Sequence, residues 1–490
     1  MKASKLFERL IDDHTITDVI GSLDVEITGI HIDSRNVKQG NVFVAIKGLN
    51  ADGHDFIGKA IALGASLVVC QEFPNEIPAN VTFCRVADSR NIAALSAHRF
   101  YDYPSSKMKV VGVTGTNGKT TVTTLLFQLY TALGYKCGLI STVENKVGDK
   151  IIATEHTTPD PCTLAQLFST MYEEGCSHVF MEVSSHAIDQ KRIEGIEFEG
   201  AVFTNITHDH LDYHQTFKAY IYAKKMFFDH LPAKAFALTN IDDKNGEVMV
   251  QNCKAHIKTY ALRRMADFKC KLISDDLYGM QIRINDAEMI CRLTGEFNAY
   301  NLTAVTGVAS LMGEDLLKVM ETLSSLPGAE GRMEKVIVGN IKIVGIVDYA
   351  HTPDALENVL RTLKASMPKD KSLITVVGCG GNRDAAKRPI MAHIAASNSS
   401  KVILTSDNPR HENPEEILDQ MEAGLSVEQK PNVLRITDRA SAIKTAVMLA
   451  KAGDAILVAG KGHEKYQDIG GVKTPFEDKK VLASALEAKT

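Results

Sequence analysis

The sequence predicts an α/β protein of three domains with mainly parallel sheets. Three observations carry that expectation. The chain has 490 residues, too many for one core at usual domain sizes. Short apolar runs alternate with stretches long enough for helices, the pattern of βαβ units. Two turn-rich segments, 101–107 (YDYPSSK) and 326–331 (LPGAEG), interrupt that alternation and suit boundaries between domains. The expected division is 1–105, 106–333 and 334–490.

In the first segment, β-like runs at 42–46 and 66–69 lie between helical stretches. A sharp strand at 109–113 opens the second, followed by a Gly-rich turn and a helical pattern over 119–133. Strand-like runs recur at 178–182, 200–204 and 235–240. In the third segment strands are read at 343–347, 372–377, 402–405 and 455–458, and helices at 352–365, 414–423 and 439–452. No internal repeat or low-complexity tract interrupts the series.

Composition narrows the function. Hydrophobic residues make up 44% and charged residues 23%, ordinary for a soluble globular chain. A net charge of −5 gives no sign of a general nucleic-acid binder. No apolar run approaches the roughly 20 residues of a membrane span, and residues 1–10 lack the apolar core of a signal peptide. The nine cysteines are scattered, with no C-x-x-C pair, so neither a disulfide framework nor a zinc site is supported. The expectation is a reduced, cytoplasmic protein without stable membrane insertion.

The most informative stretch is VGVTGTNGKTT, 111–121. A strand feeds a loop of Gly115, Thr116, Asn117 and Gly118, and Lys119, Thr120 and Thr121 open a helix. Backbone N–H groups at such a turn point at an anion, and glycine lets phosphate oxygens approach. Lys119 would reach the β- and γ-phosphates of ATP, and the Thr120 hydroxyl would ligate Mg²⁺. The spacing departs from the general G-x-x-x-x-G-K-[ST] pattern, because position 113 is Val and the upstream glycine is Gly112.

The form TGTNGKT resembles the Mur ligase and folylpolyglutamate synthetase superfamily. Further marks follow in the family's order: Glu182 in MEVSSHAIDQKR, His210 in THDHLDYH, Asn301 in EFNAYN, Arg332 in GRMEK and Asp348 in VDYAHTPD. The resemblance implies an ATP-dependent amide-bond ligase working through an acyl phosphate. It implies magnesium ligands at Thr120, Glu182 and His210, catalytic roles for Lys119, Lys224 and His210, and further ATP contacts at Asn301, Arg332 and Asp348, with His351 either joining them or serving as a helix cap. It also implies that Lys224, in AYIYAKKMFF, is carboxylated by CO₂ and completes the metal site. Carbamylation needs a neutral amine, which burial or nearby cations favour. Neighbouring Lys225 is expected to be the solvated helix lysine.

Within the family, the first domain resembles a uridine-nucleotide-binding module. Ile32 and Ser34 in IDSR, and Asn50 in GLNADGH, are implied as contacts to the UDP moiety of a UDP-N-acetylmuramoyl-dipeptide. Thr157, Thr158, Ser184, Gln190 and Arg192 are implied as its muramoyl-dipeptide contacts, while His156 departs from an Asn found in some members. Folate-type relatives lack this first domain, which argues against them.

The C-terminal domain is expected to be Rossmann-like and to hold the incoming amino acid. Three loops follow predicted strands, where open α/β sheets place ligands: GCGGNRD with Arg383, DNPR with Asp407, Asn408, Pro409 and Arg410, and GKGHE with Gly460 and Glu464. Arg383 stands at a third-glycine position, so the first loop fails as a dinucleotide fingerprint. D-N-P-R resembles the motif of family members that add meso-diaminopimelate. A buried Arg410 would pair with the distal carboxylate that lysine lacks, with Arg383 able to serve the same end, and Glu464 would take an ammonium. Asn413, where the motif usually continues with an acid, is expected to be a helix-cap change. The alternatives are the same ligation with L-lysine and a nucleotide-binding scaffold without catalysis. A monomer is expected.

Overall fold

The computed structural model describes residues 1–13, 15–48, 51–154 and 156–489. The chain separates into two compact units: Met1–Phe268 with Gly307–Glu314, and Lys269–Thr306 with Asp315–Thr490.

The first unit holds two sheets. The N-terminal one runs Ile16–Ile20, Thr82–Val86, Ala65–Cys70, Asn41–Val44 and Gly29–His31, parallel except for the first pair. Successive side chains point to opposite faces of a strand, and both faces are filled. Val42 and Val44 pack with Leu6, Phe7 and Ile92 on one side, while Phe43 packs with Val68 and Phe83 on the other.

The second sheet of this unit has Lys109–Thr114 near its middle, flanked by Gly200–Phe203 and His178–Glu182. Phe236–Asn240 and His256–Ala261 extend it on one side and Cys137–Ile140 on the other, all parallel. Two short antiparallel strands, Asn145–Val147 and Lys150–Ile152, finish the second edge. The five residues of His178–Glu182 and all but the first of Lys109–Thr114 are buried, as expected of a parallel sheet covered on both faces. From Lys109–Thr114 the chain passes to Cys137–Ile140 on one side, while from its other neighbour, Gly200–Phe203, it passes to Phe236–Asn240 on the opposite side. That strand is therefore the topological switch point, where the sheet opens a crevice at its C-terminal edge.

The second unit carries an antiparallel meander, Phe268–Asp275, Met280–Ile284 and Ala287–Cys291. It also carries a six-stranded sheet ordered Glu334–Val336, Val344–Asp348, Ala455–Ala459, Leu373–Val377, Lys401–Leu404 and Val433–Arg435, parallel after the first pair. The last returning strand, Ala455–Ala459, inserts between Val344–Asp348 and Leu373–Val377. The loops that follow it are thereby set beside those of the other parallel strands. A small hairpin, Tyr466–Ile469 with Val472–Pro475, stands apart from that sheet.

Candidate active site

The Gly-rich loop joins Lys109–Thr114 to the helix Lys119–Ala132 and is clamped from below by the segment after Gly200–Phe203. Thr116 N donates to Asn205 O at 2.8 Å, Asn117 N to Asn205 Oδ1 at 3.0 Å, and Thr204 Oγ1 to Asn117 O at 2.6 Å. Gly115 is required there, since a Cβ would fall 1.9 Å from Thr204 Oγ1. Lys119 folds back over its own loop, its Nζ donating to Gly115 O and Thr116 O at 2.9 Å each. Thr120, one residue into the helix, is buried, and Thr121 follows in the same turn.

Lys224, on the helix Phe217–Asp229, is buried at 1% exposure and donates to the same Gly115 carbonyl at 2.9 Å. Its Nζ sits 4.8 Å from the centre of the Tyr220 ring, and Tyr220 Oη lies 3.1 Å from Thr116 Oγ1. Burial, with Lys119 adding like-charge repulsion, pushes the Lys224 amine well below its ordinary range. Neutral amine is the form that reacts with CO₂, so the environment fits the expected modification. Lys225 does not fit its expectation. It is 8% exposed and paired with Asp229 at 2.5 Å one helical turn on. The helix packs both lysines inward, and an internal carboxylate, not solvent, compensates the second.

Glu182 ends the strand on one side of the loop and is fully buried. Thr142 N donates to its Oε1 at 2.8 Å, and Thr142 Oγ1 lies 3.1 Å from Oε2. His210 follows the strand on the other side, in the left-handed region (φ 53°), with its ring 4.8 Å from that of His186 and 6.1 Å from Tyr220. Among the described residues no group of three His, Cys, Asp or Glu converges as a metal cluster. The residues proposed for magnesium are oxygen donors and one imidazole, and a hydroxyl and a carboxylate are donors that suit this hard cation.

The expected muramoyl-dipeptide residues form one knot beside Glu182. Thr158 Oγ1 donates to Glu182 O at 2.8 Å and accepts from Ser184 N at 3.1 Å. Thr157 Oγ1 lies 3.0 Å from Thr142 Oγ1. Arg192 donates to Thr158 O at 2.8 Å and, through Nε and Nη2, to Gln190 Oε1 at 3.1 and 2.7 Å. Ser184 also caps the helix Ser185–Asp189. His156 is exposed. In the N-terminal sheet, Ile32 follows the strand Gly29–His31, and Ser34 is buried at the start of a turn capped by Asp33. Asn50 lies outside the described residues. A separate cavity of about 610 Å³ lies behind the Lys224 helix, lined by Ile193, Phe198, Met226 and Leu231 among others. None of the Gly-rich loop lines it.

In the second unit the three expected loops meet at the strand ends. Gly460 (φ 115°) approaches Asp407 so closely that a Cβ would stand 2.7 Å from its Oδ2. Asn408 Nδ2 donates to Glu464 Oε2 at 2.7 Å. Lys461, fully buried, donates to Asn408 Oδ1 and Glu464 Oε2 at 2.9 Å each. Pro409 O and Asn408 O face the GCGG loop, where Gly381 N donates to Asn408 O at 2.9 Å. Arg383 is exposed beside that loop. Arg410 is half-buried, not buried as expected, and its Nη1 donates to Gly381 O at 2.7 Å. It is left-handed (φ 51°) because the hairpin grips its backbone: Arg410 N donates to Asp468 O at 3.0 Å and Gly470 N to Arg410 O at 2.6 Å. Asn413 caps the helix Pro414–Glu422, accepting from Glu415 N at 3.0 Å, as expected.

Asp348, Arg332 and His351 form a second group there. Asp348 accepts from Met333 N at 2.7 Å and Ala350 N at 2.8 Å, and burial raises its carboxyl above the ordinary range despite Arg332 nearby. Arg332 lies 4.8 Å over the Tyr349 ring. The cap of the helix Pro353–Ser366 is Thr352 and not His351. Asn301 is buried, donating to Asn298 Oδ1 at 3.1 Å.

Several participants escaped the sequence reading. Tyr220 stands one helical turn before Lys224, a spacing that brings side chains together. Thr142, Thr204 and Asn205 are loop residues with no motif of their own, and Lys461 lay unremarked inside GKGHE.

A Gly-rich loop at the switch point of one parallel sheet and converging strand-end loops on another fit the layout expected of a nucleotide-dependent ligase. The comparisons give its family. Family models match in chain order: the Mur ligase family catalytic domain over residues 26–101, the Mur ligase middle domain over 113–309, and the Mur ligase glutamate ligase domain over 331–462. The chain belongs to the Mur ligase family and has its three-domain α/β fold. It is 53% identical over 479 residues to the UDP-N-acetylmuramoyl-L-alanyl-D-glutamate–2,6-diaminopimelate ligase of Cytophaga hutchinsonii, covering 98% of each chain. To the ligase of the same name from Bacteroides fragilis it is 52% identical, covering 95% of this chain and 96% of that one. A solved structure of a ligase with this name superposes with a TM-score of 0.73 at 33% identity, covering 100% of this chain and 99% of the other.

Proposed function

We propose that this chain joins meso-2,6-diaminopimelate to UDP-N-acetylmuramoyl-L-alanyl-D-glutamate in an ATP-dependent reaction of cytoplasmic peptidoglycan-precursor synthesis, working as a monomer. The supporting observation is the D-N-P-R loop, which follows the parallel strand Lys401–Leu404 in a chain that matches relatives named for diaminopimelate along nearly its whole length. The division at 1–105, 106–333 and 334–490 is kept as the working domain map.

A carboxylate is a poor acyl donor, so the substrate acid must be phosphorylated before an amine can displace the group. That first step brings two anions together. The N-terminus of the helix Lys119–Ala132 and the Lys119 ammonium offset the repulsion and stabilise charge as it develops. Asn301, Arg332 and Asp348 are assigned to ATP on the family resemblance, as are Ile32, Ser34, Asn50 and the knot of Thr157, Thr158, Ser184, Gln190 and Arg192 to the UDP substrate. Mg²⁺ would be held by Thr120, Glu182, His210 and a carboxylated Lys224, and would neutralise phosphate charge. The amine of diaminopimelate then attacks the acyl phosphate, with Arg410, Arg383 and the Asp407–Gly460–Glu464 cluster orienting the amino acid.

The test is ATP turnover with each substrate omitted in turn. Turnover should require the UDP-muramoyl-dipeptide and diaminopimelate together, and Lys119→Ala should abolish it in a folded protein. Turnover indifferent to either substrate, or a fully active Lys119→Ala variant, overturns the reading. A chain that binds nucleotide and never turns over is the scaffold alternative.

A further inference from the structure

We infer that Lys461 is a positioning residue that sets amino-acid specificity by pre-neutralising Glu464. This rests on the proposed function and assigns a role within its amino-acid site. Lys461 has no exposed surface, and its ammonium is 2.9 Å from both Asn408 Oδ1 and Glu464 Oε2. A lysine is almost never fully buried unless it is paired, and the pairing here closes a triangle, because Asn408 Nδ2 donates to the same Glu464 oxygen at 2.7 Å. Asn408 Oδ1 also accepts from Asp468 N at 3.0 Å. The Asn408 oxygen thus carries two internal donors. Of Glu464, the Oε2 edge is occupied and the side chain keeps 20% exposure.

The consequence for selection follows from charge. A bare carboxylate in this crevice would attract any amino acid with a cationic side chain, lysine and ornithine included. With Lys461 already beside it, Glu464 still accepts a hydrogen bond from an ammonium, but the pair adds no net negative charge to hold one. A side chain that is itself neutral overall, carrying both ammonium and carboxylate, meets a matched surface: the Lys461–Glu464 pair for the first and Arg410 for the second. Lys461 thereby disfavours purely cationic side chains without touching them.

The experiment compares kcat/KM for meso-diaminopimelate and L-lysine in the full-length enzyme, wild type against Lys461→Met, Lys461→Gln and Glu464→Gln, with unfolding temperature recorded for each. The ratio favouring diaminopimelate should fall at least tenfold in Lys461→Met, and likewise in Lys461→Gln should the methionine variant not fold, chiefly through a lower KM for lysine. Glu464→Gln, which leaves the buried cation uncompensated, should move the ratio the other way or hold it. A ratio that falls less than tenfold in a folded lysine variant, loss of both activities in proportion included, overturns the inference, as does a fall of the ratio in Glu464→Gln. A wild-type enzyme inactive with diaminopimelate removes instead the functional reading beneath it, so the two failures are distinct.

Discussion

Replacing Arg410 by alanine tests how the proposed site tells diaminopimelate from lysine. The two amino acids share the reacting amine and the distal ammonium and differ by one carboxylate. Arg410 is half-buried with Nη1 committed to Gly381 O, so only part of its fork is left for a ligand and solvent has some access. The full cost of truncating a buried ion pair is therefore too large a figure here. A hydrogen bond to a charged group contributes about 1.5–3 kcal/mol, which at about 1.36 kcal/mol per tenfold is roughly a 10- to 150-fold preference in kcat/KM. Arg410→Ala should lose about that factor with diaminopimelate and little of any residual activity with lysine. The left-handed backbone at this position strains arginine and alanine alike, so conformation does not confound the comparison. The assay is steady-state kinetics with both amino acids at saturating ATP and UDP-muramoyl-dipeptide. A wild type that prefers lysine refutes the substrate assignment. Equal losses with both substrates reassign Arg410 to anchoring the 378–384 loop.

Two further outcomes concern titration. Lys224 should carry a carbamate: protein equilibrated with ¹³CO₂ near neutral pH should show a carbamate carbon resonance that Lys224→Met lacks, and a spectrum without it removes the modification from the mechanism. His98 is fully buried, neither ring nitrogen has a hydrogen-bond partner among the described residues, and burial lowers it to about 4. The unfolded chain takes up that proton near 6.5, so its contribution is complete above pH 6.5 and is lost as pH falls from there toward 4. Between pH 7 and 5 the loss is about 2 kcal/mol. Urea unfolding at the two pH values should show a smaller drop in His98→Leu, and an unchanged drop would place the proton-sensitive group elsewhere.

The parallel strands were legible because burial on both faces leaves unbroken apolar runs: 178–182 was read to the residue, and 109–113, 235–240 and 455–458 to within one. The antiparallel additions were not. Val472–Pro475 is exposed at every position and Met280–Ile284 alternates with polar residues, so neither stands out from a loop. That omission reached the site, since the unread hairpin holds Arg410. Thr157, Thr158, Ser184, Gln190 and Arg192, grouped in the sequence by motif order, lie together in one hydrogen-bonded knot. The environments of Lys225 and Arg410 were misjudged, because solvent exposure depends on packing partners distant in sequence.

The self-contacts of the phosphate loop change what nucleotide entry must mean. With Lys119 Nζ resting on Gly115 O and Thr116 O, and Lys224 on the same Gly115 oxygen, two lysine side chains are anchored on a single peptide carbonyl. An arriving triphosphate therefore does not fill a waiting cradle; it competes with the backbone for an ammonium group already in use. Binding becomes an exchange of acceptors whose net gain is smaller than the new contacts suggest. A carboxylated Lys224 would keep a single N–H for that carbonyl where the amine has more, and Lys119 would have less rivalry for the oxygen it must release.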